Sequence, residues 1–192
     1  MQQAVSVEPL TPGRWHDLVA LFGPNGANSG CWCMWWLKPA KEWDRDAGAA
    51  NRRQFQRLVR NGPPPGLLAY RDGEPVGWCA LAPREGYVRL NRSPKLKPID
   101  NKPVWAITCF YTHRKHRGDG VASALLDAAV EWARDHGATL VEGYPIDTSR
   151  RAATNADAFT GTLEMFEGAG FTEAARRGGR PIVRRALKAR RR

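Results

Sequence analysis

Arg117-Gly118-Asp119-Gly120-Val121-Ala122 sits between the two most strongly patterned segments of the chain, and its reading decides the fold. Upstream, residues 104–112 are rich in β-branched and aromatic types, the composition of a buried strand. Downstream, residues 118–136 read as an amphipathic helix, with Val121, Leu125, Ala128, Trp132 and His136 on one face and Asp127, Glu131, Arg134 and Asp135 off it. Gly137 ends that helix, and residues 140–146 form another strand, so the order predicts a parallel crossover. Glycines at a helix start let the backbone turn tightly and present amide N–H groups at the positive end of the helix dipole. That is an anion site suited to a pyrophosphate. The loop lacks the third glycine of a dinucleotide fingerprint and the Gly-Lys-Ser/Thr of a Walker loop.

Toward the N-terminus, residues 4–7 read as a short strand, followed by a helix opening near Pro12, where Trp15, Leu18, Val19 and Phe22 recur at helical spacing. Residues 23–30 are rich in Gly, Pro and Asn and lead into Cys31-Trp32-Cys33-Met34-Trp35-Trp36. A helix is expected over 49–60, then strands over 67–70 and 76–81 joined through Asp72-Gly73 as a hairpin. Residues 85–101 predict a short helix and a long surface loop. Beyond residue 146, a polar loop to Asp157 precedes a helix over 160–169. An antiparallel hairpin over 171–176 and 181–187 then closes through Gly178-Gly179.

The 192 residues suffice for one well-buried core, and eight Trp with six Phe mark a globular chain. No apolar run approaches the roughly 20 residues of a membrane span, and the first residues lack the basic and apolar regions of a signal peptide, so a cytoplasmic protein without membrane association is expected. Cys31, Cys33, Cys79 and Cys109 are then free thiols. Of the net charge of +11, nine positive charges fall in residues 176–192, which hold no acid, so the basicity belongs to one end of the chain.

Arg-x-x-Gly-x-Ala after a strand and at the head of an amphipathic helix resembles the acyl-CoA pyrophosphate loop of the GNAT superfamily of N-acyltransferases, with Arg117, Gly120 and Ala122 at its signature positions. Glu164-Met165-Phe166-Glu167-Gly168-Ala169-Gly170-Phe171 is similar to the family's aromatic final helix and its Gly-Phe exit. The resemblance spans about Val104 to Leu187 and implies an α/β fold. It would have a mixed, twisted sheet of about seven strands, helices on both faces and a splayed central strand pair binding CoA. One N-acetyltransferase domain would cover residues 1–187, with a basic tail over 188–192.

The resemblance further implies acetyl-CoA as co-substrate, held by backbone groups of Phe110, Tyr111 and Thr112 and by the loop Arg117, Gly118, Asp119, Gly120, Val121, Ala122 and Ser123. An amide near Phe110 would stabilise the oxyanion. A Tyr in the final helix often protonates the departing thiolate, but Phe166 stands at that position, which leaves Tyr111, Tyr144, Cys109 or water. Glu142, beside the splayed strand, is the first candidate base and Asp147 the second. Trp32, Trp35 and Trp36 wall an acceptor pocket or pin a loop as a small aromatic core.

The expected reaction is direct transfer of an acetyl group to a primary amine of a small molecule, peptide or protein. The alternatives are an acyltransferase on aminoacyl-tRNA or RNA-borne amines, with RNA held by the basic end, and a CoA-binding module without turnover. Cys31, Cys33, His113 and His116 lack the usual pairings of zinc sites, so no metal is expected. Open strand edges in this architecture suit a homodimer.

Overall fold

The computed structural model describes residues 4–150 and 158–188. Seven strands form one sheet in the order β1-β2-β3-β4-β5-β7-β6: β1 (Ser6–Pro9), β2 (Gly66–Arg71), β3 (Glu74–Pro83), β4 (Trp105–Thr112), β5 (Leu140–Gly143), β6 (Thr172–Arg177) and β7 (Arg180–Ala186). Every neighbouring pair is antiparallel except β4 and β5, which are joined by the expected crossover helix α5 (Val121–Asp135). The β2–β3 turn places Asp72 at φ 53° and Gly73 at φ 79°, the left-handed pair that matches the twist of a two-residue hairpin.

Buried apolar clusters cover both faces of the sheet. On one face α5 buries Val121, Leu125, Leu126, Ala129, Val130 and Ala133 against Ile107, Phe110 and Cys79. The buried stripe therefore centres on Val121, Leu125 and Ala129. Ala128 and Trp132 lie at its margin, and His136 is exposed, stacked on Trp132 at 4.1 Å between ring centres. The helix approaches β3 closely because Gly77 has no side chain: a Cβ there would lie 2.6 Å from Val121 Cγ1.

On the other face α1 (Trp15–Phe22) and α3 (Ala49–Asn61) bury Leu18, Phe22, Phe55 and Val59 with Trp32 against Trp78 and Leu68. Between them runs α2 (Ala40–Asp46), whose Asp46 accepts from Lys38 Nζ (2.5 Å), Arg45 Nε (2.8 Å) and Gln54 Nε2 (3.1 Å). This short helix has no sequence counterpart above, since Trp43 alone among its large side chains is apolar. α4 (Val88–Arg92) is the short helix expected within 85–101, and α6 (Leu163–Gly168) is capped by Thr162, whose Oγ1 accepts from the amide of Met165 at 3.3 Å.

Candidate active site

The site originates where β4 and β5 part. Their pairing ends at Ile107 and Gly143, while β4 continues for five residues to Thr112. A bulge also interrupts β4 against β3: Leu81 faces Ile107 but Ala80 faces Cys109, so Thr108 is the extra residue. The amide of Arg84 bonds to the carbonyl of Val104, and the amide of His113 to that of Val76. Alternation from these two anchors turns the backbone groups of Phe110 and Thr112 away from β3 and into the gap left by β5. Trp36 Nε1 donates to the Thr108 carbonyl at 2.9 Å, and occupies the first rung past the split.

Facing the gap is the head of α5. Gly118 (φ 85°) and Gly120 (φ 77°) are both left-handed, and a Cβ on either would meet nothing within 4 Å. Gly120 offers no capping side chain, and the first helical bond joins the Ala124 amide to its carbonyl. The amides of Val121, Ala122 and Ser123 therefore have no partner within the helix. Asp119 is drawn the other way, its carboxylate 2.8 Å from Arg71 Nη1, so it braces the loop from behind.

One cleft of about 1030 Å³ joins these parts. Phe110, Tyr111, Thr112, Arg117, Gly118, Gly120, Val121, Ala122 and Ser123, all anticipated from the sequence, line it together with Trp35 and Trp36. Lining residues that sequence reasoning missed include Phe22, Trp43 and Met165, and Phe159, which follows a polar loop without periodicity. Cys31, Cys33 and Cys109 also line the wall; Trp78 Nε1 donates to Cys33 Sγ at 3.1 Å. The Cys109 thiol and then Trp78 hold the Cys33 thiol below its ordinary range, against the cost of burial, while Cys109 is pushed up by the same contact.

Three sequence expectations need correction. Glu142 does not reach the cleft: it is 1% exposed and clamped between Arg84 Nη1 (2.8 Å) and Arg184 Nε (2.7 Å), with Tyr144 Oη donating to it at 2.6 Å. A carboxylate so held offsets two guanidinium charges, accepts three hydrogen bonds and is not among the residues that line the cleft. Tyr144 is fully buried in the same knot, and burial followed by the Glu142 charge pushes its phenol well above the usual range. Trp32 is a core residue, packed on Trp15 and Phe22 with Arg52 over its ring, so the tryptophan cluster divides between core and wall.

Asp147 likewise serves the fold. Its carboxylate accepts from Ser149 Oγ (2.5 Å) and Arg176 Nη1 (2.7 Å), and these two contacts hold it below the usual carboxylate range. Phe166 is buried against Phe110 and Phe171, over the missing Cβ of Gly143, as a packing residue. Much of the basic end is committed too: Arg176 binds Glu173, Arg177 the Lys97 carbonyl, Arg180 the Tyr144 carbonyl, Arg184 Asp100 and Arg185 the Ala169 carbonyl. The tail after Lys188 lies outside the described residues. No helix among the described residues is long and apolar enough to cross a membrane.

Comparison with known proteins agrees with this fold. Among solved structures, the PaiA N-acetyltransferase from Thermoplasma acidophilum, in complex with coenzyme A, superposes with a TM-score of 0.54 at 13% identity, covering 96% of this chain and 100% of that one. A histone acetyltransferase HPA2 and related acetyltransferase from Corynebacterium glutamicum gives 0.58 at 19%, covering 97% and 98%. A ribosomal-protein-alanine N-acetyltransferase from Brucella melitensis gives 0.51 at 17%, covering 95% and 99%. No curated protein matches the chain in sequence. At these identities the structures attest the fold alone. A family model for the acetyltransferase (GNAT) family matches residues 31–155, about two thirds of the sequence, and the chain belongs to that family.

Proposed function

We propose that this protein transfers an acetyl group from acetyl-CoA to a primary amine by direct attack, in the cleft between β4, β5 and the head of α5. The observation that carries the reading is the convergence, in one cleft, of partnerless helix-head amides at Val121, Ala122 and Ser123 with the inward-turned backbone of Phe110 and Thr112. The helix head and Arg117 suit a pyrophosphate, and the strand backbone suits the amide-bearing arm of a CoA thioester. Acetyl-CoA supplies the activated acyl carbon; the Phe110 amide is placed to polarise its carbonyl. Tyr111, which lines the cleft and packs edge-on against Phe22 at 5.6 Å, is the phenol available to protonate a departing thiolate. With Glu142 and Asp147 committed elsewhere, the amine arrives in its neutral form.

Gly120→Val tests the placement. The left-handed backbone at residue 120 costs a side chain about 1–2 kcal/mol, yet nothing crowds its Cβ, so the protein folds. The new branched group stands at the helix head, and CoA affinity measured by calorimetry is expected to fall more than about tenfold, the equivalent of one lost charge-assisted contact. Undiminished affinity in a folded variant overturns the assignment.

A further inference from the structure

Beyond the CoA half, the cleft has a second half of different chemistry. Trp35 and Trp43 meet edge-to-face with ring centres 5.0 Å apart, Trp36 stands edge-on to Trp35 at 6.5 Å, and Phe159 lies 6.2 Å from Trp36, tilted by 34°. All four line the cleft. The box is fixed to the reacting centre, because the Trp36 indole is bonded to the Thr108 carbonyl, two residues from Phe110. Among the described lining residues the charged or titrating nitrogen groups are His116 and Arg117, both at the α5 side, and no carboxylate or lysine faces the box.

An aromatic box commonly holds a cation over its ring faces. Here one face of Trp35 is already taken: the Arg89 guanidinium lies 3.7 Å from its ring centre, and Arg89 does not line the cleft. A second cation on the free face would meet a ring whose electron density is already engaged, with a like charge behind it and no carboxylate among the described residues that line the cleft. A neutral ring has no such conflict and gains from edge-to-face and offset contacts with three indoles.

We infer that the acceptor is a neutral aromatic amine, an arylamine, whose ring sits in the box formed by Trp35, Trp36, Trp43 and Phe159 with its nitrogen toward Phe110. The inference rests on the acetyl-transfer reading above and explains a feature that reading leaves bare, the lack of a carboxylate among the described residues that line the cleft. An arylamine nitrogen is unprotonated at neutral pH because its lone pair is shared with the ring, so no residue need remove a proton before attack. The nitrogen lone pair forms the new amide bond, the carbon–sulfur bond breaks with its electron pair on sulfur, and the proton lost by nitrogen ends on that sulfur. The products are an N-aryl acetamide and the thiol of CoA.

The test uses the full chain with bound CoA, in which no transfer occurs, and calorimetry of p-anisidine, benzylamine, spermidine and a peptide with an N-terminal alanine at pH 7. p-Anisidine is expected to bind at least about tenfold tighter than the others, and Trp43→Ala to lower its affinity about tenfold while Trp43→Phe restores most of it. With acetyl-CoA, the same order is expected in kcat/KM. Tighter binding and faster turnover of benzylamine, spermidine or the peptide would overturn the arylamine class and leave acetyl transfer standing. Unaltered p-anisidine affinity in Trp43→Ala, with CoA affinity intact, would remove the box as its site. Failure of the protein to bind CoA at all would overturn the reading on which the inference rests.

Discussion

Replacing Glu142 by Gln distinguishes a buried structural carboxylate from a catalytic base. Glu142 is 1% exposed, and its partners Arg84 and Arg184 have side chains 7% and 11% exposed. Gln keeps the shape but removes the charge. Arg184 retains Asp100, bonded at 2.7 and 3.1 Å, whereas Arg84 keeps only the Leu96 carbonyl and the Tyr144 hydroxyl. Breaking one buried pair typically costs about 3–5 kcal/mol, and at about 2–4 °C per kcal/mol for a chain of this size Tm should fall by roughly 6–20 °C. Urea denaturation at pH 7 measures the loss directly. Turnover per folded molecule, read well below the new Tm, should stay within about threefold of the parent, against the roughly 10²–10⁴-fold loss that deleting a general base brings. Adding Arg84→Met should recover part of the stability, because the uncompensated cation is then gone. An unchanged Tm with turnover reduced a hundredfold or more, in the single variant, would refute this assignment and restore Glu142 as base.

Gly77→Ala should loosen α5 from the sheet, since its Cβ would stand 2.6 Å from Val121 Cγ1 and 3.0 Å from Leu125 Cδ1; a loss of about 1–3 kcal/mol in urea titrations with weakened CoA binding is expected. Phe166→Tyr should destabilise the protein by about 1–3 kcal/mol and leave kcat unraised, because the ring is enclosed over Gly143 rather than open to the cleft; a rate gain would show the hydroxyl reaching the reacting atoms. Asp46 and Asp100 are held below the usual carboxylate range, Asp46 first by Arg45 and then Lys38, and Asp100 first by Arg184. Depressed carboxyls contribute fully above their unfolded pKa of about 4 and lose that contribution as pH falls toward the folded values. Stability should therefore decline on acidification below about pH 4, and Asp46→Asn should flatten that decline in acid unfolding curves.

The crossover at the centre was legible because its elements carry their own signals: a β-branched run, glycines, a helical stripe and a stop. The cleft lining at the head of α5 was legible too, since position at a helix head needs no knowledge of distant contacts. The fate of Glu142 did not follow, because Arg84 and Arg184 lie 58 and 42 residues away along the chain and only the assembled sheet brings them to it. Nor was the bulge at Thr108 visible. β4 is apolar on both faces, so its sequence has no alternation whose break would mark an extra residue. α2 escaped for want of periodicity, and Trp43, which completes the aromatic box, was hidden with it.

The bulge makes β4 two strands in opposite phase. Ile107 and Phe110, three apart, both pack in the core under α5, which an uninterrupted strand with its two-residue repeat forbids. Loss of one residue between them would set them two apart, the repeat of an uninterrupted strand: the bulge would close while Phe110 stayed in that core with its amide still turned into the gap. Shortening between them is thus constrained by parity: the bulge absorbs the loss of one residue, whereas the loss of two would set Phe110 directly after Ile107 and exchange the faces of everything to Thr112.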